Sequence, residues 1–296
     1  MSYEGAYSTD VLAEKAYGFL DDAIEASQPF HLTIASNAPH SNVEFLNEWF
    51  DNNVSSHTIQ ITPPIPAKRH EHLFKDVVVP RTPNFNPEYA TGVSWISRLP
   101  RQNHTNIDFN DEFYRNRLRA LQAVDEIVDG VIRRLSVGGL LDNTYIFFSS
   151  DNGYHIGQHR LQPGKECGFE EDINVPLIVR GPGVPEGHIS DVVTSHTDLA
   201  PTFLKLAGAE LRSDFDGAAI PLTELELDEA KKHRHEHVNV EYWGFALSEG
   251  RYGKGVWWNN TYKALRLIGE AYNFYYSVWC SGEHELYDML VRRMIG

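Results

Sequence analysis

Apolar residues recur at helical spacing in two long stretches of the chain. The first, over residues 8–26, has an apolar face made of Val11, Leu12, Ala16, Phe19, Leu20 and Ala23. The second, over residues 111–136, has a stripe made of Leu118, Leu121, Val124, Val128, Val131 and Leu135. Steps of three and four residues place side chains on one face of an α-helix. The pattern therefore predicts two amphipathic helices, the second of which opens at Asn110 or Asp111.

Three short runs of apolar, aromatic and β-branched residues predict strands. They cover residues 30–35, 145–150 and 175–179. The step from the second predicted helix through Gly138 and Gly139 into the next strand is typical of α/β folds. We expect the three strands to lie side by side in one parallel sheet, with the two helices packed on its faces.

The pattern changes after residue 225, where short aromatic or β-branched runs alternate with Gly and Asn. These runs cover residues 238–243, 254–258, 262–268 and 273–279. Such spacing predicts a small antiparallel sheet. The sequence therefore predicts two domains, an α/β domain over residues 1–225 and an antiparallel β subdomain over residues 226–296.

Composition narrows the classes of function. Hydrophobic residues make up 42% of the 296 positions, enough for a sizeable core, and no apolar run is long enough to span a membrane. The net charge of -15 argues against a nucleic-acid partner, whose phosphates need a basic surface. Residues 1–10 lack the apolar core of a signal peptide. We therefore expect a cytoplasmic protein if the chain is expressed as written. The sequence does not otherwise identify the compartment. Cys167 and Cys280 are too few for a disulfide framework, and burial and a single bridge both stay open.

Two oxygen-bearing side chains, Asp151 and Asn152, follow the predicted strand at 145–150 and precede Gly153. Ligands of α/β sheets bind just beyond the carboxyl ends of strands, and carboxylate and carboxamide oxygens suit Ca²⁺ or Mg²⁺. Asp-Asn-Gly is also a common turn, and these three residues alone favour a simple turn. One carboxylate predicts a weak or incomplete site, because Ca²⁺ takes about six to eight oxygen ligands.

Several ordered motifs resemble the sulfatase family. They are Ser150-Asp-Asn-Gly-Tyr-His-Ile-Gly-Gln-His-Arg-Leu-Gln-Pro-Gly-Lys165, Asp172-Ile-Asn-Val-Pro-Leu-Ile-Val-Arg-Gly-Pro-Gly183 and Ser195-His-Thr-Asp-Leu-Ala-Pro-Thr-Phe-Leu-Lys-Leu-Ala-Gly208. They are most similar to the fungal arylsulfatases and the glucosamine-6-sulfatase branch, and the resemblance covers nearly the whole chain. It implies an α/β, alkaline-phosphatase-like sulfatase fold with an incomplete central sheet, flanking helices and the small C-terminal antiparallel sheet. It also makes Asp151 and Asn152 candidate metal ligands.

The resemblance assigns roles to loop residues that the pattern alone would leave as solvated. His40 follows Ala-Pro and matches a family histidine that contacts the sulfate ester, while Lys165 follows Pro-Gly and matches a family lysine with the same contact. These two are the candidate catalytic and substrate-binding residues. An ammonium group suits this role because it offers three donors to a tetrahedral anion. His155 and His159 are further candidates for lining the substrate cleft and rank below the first pair.

The chain departs from the family in a way that bears on catalysis. Sulfatases use a formylglycine made from Cys or Ser in Cys/Ser-x-Pro/Ala-x-Arg, whose hydrated aldehyde supplies the nucleophilic oxygen beside a divalent ion held by paired aspartates. Neither Cys167 nor Cys280 nor any serine stands in that setting, and no predicted strand ending in Asp-Asp precedes residue 30. What matches is one side of a sulfatase site, without the nucleophile, its arginine, the aspartate pair, and a second lysine and histidine.

Three hypotheses follow for the function. The first is an arylsulfatase-like sulfuric-ester hydrolase of which this chain is the carboxyl-terminal part, inactive alone. The second is a non-catalytic relative that binds an anionic small molecule, or whose exposed sheet is covered by a partner or a second copy of the chain. The third is a truncated relative with different chemistry, in which His40 or His155 is a general acid or base. The first has the strongest support from the sequence.

Overall fold

The structure is a computed structural model and describes residues 3–45, 59–233, 235–253, 255–291 and 293–294. The helices are α1 (Ser8–Ala26), α2 (Ser94–Ser97), α3 (His104–Val137), α4 (Glu170–Ile173), α5 (Leu199–Leu206) and α6 (Glu224–Lys232). The strands are β1 (Asn42–Phe45), β2 (Ile59–Thr62), β3 (Ile146–Ser149), β4 (Leu177–Arg180), β5 (His237–Tyr242), β6 (Ala246–Leu247), β7 (Val256–Trp257), β8 (Tyr262–Ile268), β9 (Asn273–Trp279), β10 (His284–Asp288) and β11 (Arg293–Met294). None of the described helices combines the length and apolar character that a bilayer crossing needs.

The chain forms two compact units whose segments alternate along the sequence. Unit 1 contains residues 1–144, 154–166 and 246–257, and unit 2 contains residues 145–153, 167–245 and 258–296. The predicted division into domains at residue 225 stays a prediction.

Unit 1 contains the two predicted amphipathic helices, which pack against each other. The Tyr17 hydroxyl on α1 donates to the Glu126 carbonyl on α3 at 3.0 Å. A Cβ at Gly130 would lie 2.1 Å from that hydroxyl, so only a glycine allows this close approach. The Arg134 guanidinium lies 3.9 Å from the centre of the Tyr17 ring and 3.2 Å from the Asp21 carboxylate. These contacts join the two helices along their length. Packing of these helices on β3 and β4 stays a prediction.

The second helix begins earlier than its apolar stripe predicts. Asn103 is the N-cap, and its side chain accepts a hydrogen bond from the Asn106 amide at 3.1 Å. Asn110 and Asp111, which the sequence predicts at the helix start, are buried inside α3. Asp111 accepts from the Val79 amide at 2.9 Å, so its carboxylate serves a tertiary contact instead of a cap.

The strand predicted over residues 30–35 is wrong, because this segment belongs to neither a helix nor a strand. No strand in the described part of the chain pairs with it, and a strand needs such a partner for its backbone hydrogen bonds. The chain enters its first hairpin at β1, which pairs antiparallel with β2. Residues 46–58 lie outside the described residues.

In unit 2, β3 and β4 pair as predicted, but the pair is antiparallel instead of parallel. Phe147 lies opposite Val179, and its ring contacts Phe203 of α5 edge-on at 5.0 Å. On the other face, Phe148 lies opposite Ile178, with exposures of 37% and 61%. The pair therefore packs on α5 through one face and leaves apolar side chains open on the other.

The predicted C-terminal antiparallel sheet is confirmed. Five strands lie in the order β11-β10-β9-β8-β5, all antiparallel. The run predicted at 254–258 corresponds to β7, which pairs with β6 in unit 1 instead of joining this sheet, and Lys254 lies outside the described residues. Cys167 is buried, Cys280 is exposed, and both are free thiols.

One face of this sheet buries a carboxyl group. Glu285 is 1% exposed and accepts hydrogen bonds from Ser277 Oγ at 2.9 Å, Trp279 Nε1 at 2.9 Å and Tyr287 Oη at 3.0 Å. Burial, together with the negative charge of Glu285, raises the pKa of Tyr287. The network links β9 to β10 through side chains as well as through the backbone ladder.

Candidate functional site

His40 and Lys165 meet in unit 1 although 125 residues separate them in the sequence. Lys165 Nζ lies 2.9 Å from His40 Nε2, and His40 Nδ1 lies 2.9 Å from the Ser41 carbonyl oxygen. A carbonyl only accepts, so Nδ1 carries the hydrogen and Nε2 accepts from the ammonium group. His40 is exposed and Lys165 is half-buried. An imidazole and an ammonium group therefore stand side by side at an open surface.

Backbone contacts hold the turn that carries His40. The His40 amide donates to the Asn37 carbonyl at 2.8 Å, which closes the turn. Arg117 of α3 donates to the Pro39 carbonyl at 3.0 Å. The turn is thus fastened to the long helix of the same unit.

Two neighbouring segments hold the backbone that carries Lys165. Gly164 forms antiparallel bridges with His155 on one side and with Ser248 on the other. A Cβ at Gly164 would lie 2.9 Å from the Leu247 carbonyl and 3.0 Å from His155 Nε2, so a larger residue does not fit between these segments. The backbone next to Lys165 is therefore held by hydrogen-bonded segments on both sides.

Glu249 lies beneath the pair and was missed by the sequence analysis. It is 4% exposed, and its Oε2 accepts from the Tyr154 hydroxyl at 2.7 Å and from Ser41 Oγ. Tyr154 in turn stacks on Phe113, with ring centres 5.7 Å apart. The local sequence Ser-Glu-Gly gives no sign of burial, since most glutamates are solvated.

A second carboxyl group, Glu166, lies close to this network. Burial raises its pKa, and the charge of Glu249 adds to the rise. The Leu247 amide, which donates to Glu166 at 2.9 Å, and the positive charge of Lys165 oppose it. Glu166 has a backbone φ of +79°, which strains a residue with a side chain.

The two lower-ranked histidines of unit 1 have different surroundings. His155 is 3% exposed, and its ring centre lies 6.4 Å from that of Tyr154. His159 has a φ of +53°, and its amide donates to the Asn84 carbonyl at 2.8 Å. Contact of either ring with a substrate stays a prediction.

The candidate metal ligands, Asp151 and Asn152, form a turn after β3 in unit 2. Asp151 is exposed, and its Oδ1 accepts from the Asn152 amide at 3.0 Å. The Asn152 side-chain amide donates to the Gly153 carbonyl at 2.7 Å. Ser149, at the end of β3, also contacts His196 Nε2 at 3.3 Å, a neighbour that the sequence analysis missed. The resemblance implies that this turn belongs to the same site as His40 and Lys165; the turn lies in unit 2 and the pair in unit 1, and a shared site stays a prediction.

Comparison with known proteins gives a consistent set of relatives. A family model described as Sulfatase matches residues 2–209. The chain is 44% identical to Sulfatase ppz1 of Metarhizium majus, over 99% of this chain and 61% of that protein. It is 37% identical to an arylsulfatase of Volvox carteri, over 97% of this chain and 47% of the relative. It is 34% identical to N-acetylglucosamine-6-sulfatase of Bos taurus, over 93% of this chain and 48% of that relative. The chain therefore spans between 47% and 61% of the length of these relatives.

Solved structures resemble the chain in fold. One, in complex with its substrate D-glucosamine-2-N,6-O-disulfate, has a TM-score of 0.70 at 21% identity, over 97% of this chain and 64% of that chain. A phosphonate monoester hydrolase from Silicibacter pomeroyi has a TM-score of 0.55 at 21% identity, over 94% and 55%. These likenesses confirm the predicted α/β, alkaline-phosphatase-like fold.

Proposed function

Because this chain belongs to the sulfatase family, we propose that it binds the sulfate group of a sulfuric ester through His40 and Lys165 and forms part of an arylsulfatase-like hydrolytic site. The observation that carries the proposal is the contact of 2.9 Å between Lys165 Nζ and His40 Nε2. Two loops distant in sequence bring their nitrogen atoms to one exposed point, as recognition of an anion requires.

The chemistry of the pair fits a tetrahedral anion. The Lys165 ammonium has three N–H donors, one of which His40 accepts in this structure. When His40 takes up a proton from solvent, Nε2 becomes a second donor and its charge adds to that of Lys165. A sulfated sugar is the proposed class of ligand, since one solved neighbour binds a glucosamine disulfate and one relative is an N-acetylglucosamine-6-sulfatase.

We propose that this chain alone binds the sulfuric ester but does not hydrolyse it. A covalent route needs an activated nucleophile within reach of sulfur. The sequence offers no Cys or Ser in Cys/Ser-x-Pro/Ala-x-Arg, and the family's aspartate pair has no match. In this proposal the nucleophile and the aspartates come from outside these 296 residues.

The divalent ion that the family implies would be held by Asp151 and Asn152. Their carboxylate and carboxamide oxygens are the ligands that Ca²⁺ and Mg²⁺ prefer, and Asp151 is exposed. The chemical nature of these two ligands fits a divalent ion, but there are only two of them and together they carry one negative charge. When bound, such an ion would neutralise charge on the ester oxygens.

A second function, binding of a partner without catalysis, is favoured by the β3–β4 pair. Phe148 and Ile178 leave one face of this pair apolar and open, and exposed apolar patches often mark interaction sites. A partner or a second copy of the chain that covers this face stays a prediction. Sedimentation of the purified chain over a range of concentrations separates the second copy from a monomer.

Binding of inorganic sulfate tests the proposed function. We expect calorimetry to give a dissociation constant of about 1 mM for the full chain at fixed ionic strength. His40→Ala and Lys165→Ala should each weaken binding about tenfold, because Lys165 donates directly to the anion and His40 does so once its Nε2 has taken up a proton. The exposed Lys75→Ala is the matched control and should leave affinity unchanged. Equal affinity in all four proteins would refute the proposal.

Binding of Ca²⁺ or Mg²⁺ tests the metal turn. We expect a dissociation constant of about 1 mM, since one carboxylate gains little against dehydration of the ion. Asp151→Ala should abolish this binding, while Asp216→Ala, at an exposed position in the same unit, should preserve it. Micromolar binding that disappears in Asp151→Ala would show that other ligands complete the site.

A further inference from the structure

We propose that Glu249 is a positioning residue for the His40–Lys165 pair: through Ser41 it holds the imidazole with its hydrogen on Nδ1 and with Nε2 directed at Lys165, where the protonated ring donates to an anion. The proposal rests on the function proposed above and adds to it a residue that does not itself touch the ligand. Glu249 is buried, whereas His40 is exposed, so it acts from behind the site.

A series of three hydrogen bonds, joined through the covalent structure of Ser41, connects Glu249 to Lys165. Ser41 Oγ donates to Glu249 Oε2. The carbonyl of the same serine accepts from His40 Nδ1 at 2.9 Å. His40 Nε2 then accepts from Lys165 Nζ at 2.9 Å. Each partner in the series fixes the orientation of the next.

Glu249 also holds the second loop of the site. Its backbone amide donates to the Pro163 carbonyl at 2.7 Å, two residues before Lys165. Its side chain holds Ser41, one residue after His40. Glu249 therefore joins the two backbone segments that carry His40 and Lys165. It lies 208 positions from Ser41 in the sequence.

The tautomer matters because only Nε2 is directed at Lys165. With Nδ1–H bound to the Ser41 carbonyl, Nε2 is an acceptor in the neutral ring and a donor once it takes a proton from solvent. The bond to Ser41 persists in both states, so the ring keeps its orientation, and only the flexible Lys165 side chain turns away from the protonated Nε2 towards the anion. Without that bond, the ring is free to turn and to place its hydrogen on either nitrogen, so Nε2 no longer stays where its protonated form donates to an anion.

The geometry also predicts which replacements are tolerated. Ser41 and Tyr154 both donate to the same oxygen of Glu249, Oε2. The amide oxygen of glutamine accepts two hydrogen bonds as well. Glu249→Gln should therefore preserve the site, whereas Glu249→Leu removes the acceptor and Ser41→Ala removes the donor next to His40.

The test combines the tautomer of His40 with sulfate affinity. The full chain, labelled with ¹⁵N-histidine, is examined by two-bond ¹H–¹⁵N correlation, and His40→Ala identifies the His40 signals among the 14 histidines. We expect a single Nδ1–H tautomer in the parent chain and in Glu249→Gln. In Glu249→Leu and Ser41→Ala we expect a mixture of tautomers and a sulfate dissociation constant raised about fivefold to tenfold, as for loss of one hydrogen bond.

A matched control separates positioning from loss of stability. Asp111→Asn alters another buried acid of unit 1, 7% exposed, which accepts hydrogen bonds from the Val79 amide and from Arg81 and from no residue of this series. It should leave both readouts unchanged. A single Nδ1–H tautomer in folded Ser41→Ala and Glu249→Leu, with parental affinity, would overturn the proposal. If Glu249→Leu does not fold, Ser41→Ala decides. Absence of sulfate binding by the parent chain would instead overturn the proposed function, while the tautomers still decide the role of Glu249.

Discussion

The 296-residue chain is expected to hydrolyse 4-nitrophenyl sulfate at least about 10,000-fold more slowly than a sulfatase that carries formylglycine. The reason is chemical. In the proposed site, His40 and Lys165 hold the sulfate group in the ground state, and ground-state binding without a nucleophile does not lower the barrier of the chemical step. No Cys or Ser in the sequence stands in Cys/Ser-x-Pro/Ala-x-Arg, from which the nucleophile is made.

The measurement is release of nitrophenol by the purified chain, in burst and steady-state regimes, beside the double variant His40→Ala, Lys165→Ala. A slow residual rate in the parent chain agrees with electrostatic stabilisation alone. Robust turnover that vanishes in the double variant would contradict the prediction. It would indicate a water activated by the exposed His40, since His155 is 3% exposed.

Replacement of Glu285 is expected to cause the largest loss of stability. Glu285→Ala removes the acceptor of Ser277, Trp279 and Tyr287 and leaves a cavity at a position that is 1% exposed. Trp279 Nε1 keeps its bond to Ser277 Oγ at 3.0 Å, so Ser277 and Tyr287 are the donors that lose their acceptor, at a cost of about 1–3 kcal/mol each. We expect the free energy of unfolding to fall by about 3–5 kcal/mol, measured by urea denaturation with far-ultraviolet circular dichroism.

Two further variants show whether the network causes that loss. Glu285→Gln keeps an oxygen for Ser277 and Trp279, and its amide nitrogen can donate to the Tyr287 hydroxyl, so we expect a loss of about 1 kcal/mol. Glu270→Ala, at an exposed position of the same unit, should change stability by less than about 0.5 kcal/mol. Equal stability of the Glu285→Ala and Glu270→Ala chains would argue against a stabilising network.

The sequence predicts a strand well when the strand that pairs with it is adjacent in the sequence. The runs at residues 262–268 and 273–279 become β8 and β9 with those same bounds, and they pair with each other across a short turn. The run at 30–35 has a similar composition but is not a strand. Its composition suits a pleated surface, but the hydrogen-bonding partner is not encoded within the run.

Buried polar residues explain the error at the start of α3. Asn110 and Asp111 have the composition of an N-cap, whereas their side chains serve tertiary contacts: Asn110 donates to Gln102 Oε1 at 2.7 Å, and Asp111 accepts from Val79. The true cap, Asn103, lies one residue before a polar first turn without apolar periodicity. Periodicity therefore locates the buried stripe of a helix better than its end.

In the candidate site, too, residues within a recognisable local motif were predicted, and a residue defined only by contacts distant in sequence was not. His40 and Lys165 were identified through the resemblance of their flanking motifs, and the structure brings their nitrogen atoms together. Glu249 has no such motif. Its importance arises from contacts with Ser41 and Tyr154, which lie 208 and 95 residues away, so no local pattern reveals it.

The alternation of the two units along the chain has a consequence for folding during synthesis. Unit 1 includes residues 246–257, so it stays incomplete until this segment leaves the ribosome, after most of unit 2 has emerged. Glu249 closes a loop of 208 residues when it reaches Ser41, and such distant closures form slowly. The nascent chain must therefore carry α1 and α3 through most of translation without the segment that ties His40 to Lys165, and apolar surface left open during that time favours aggregation.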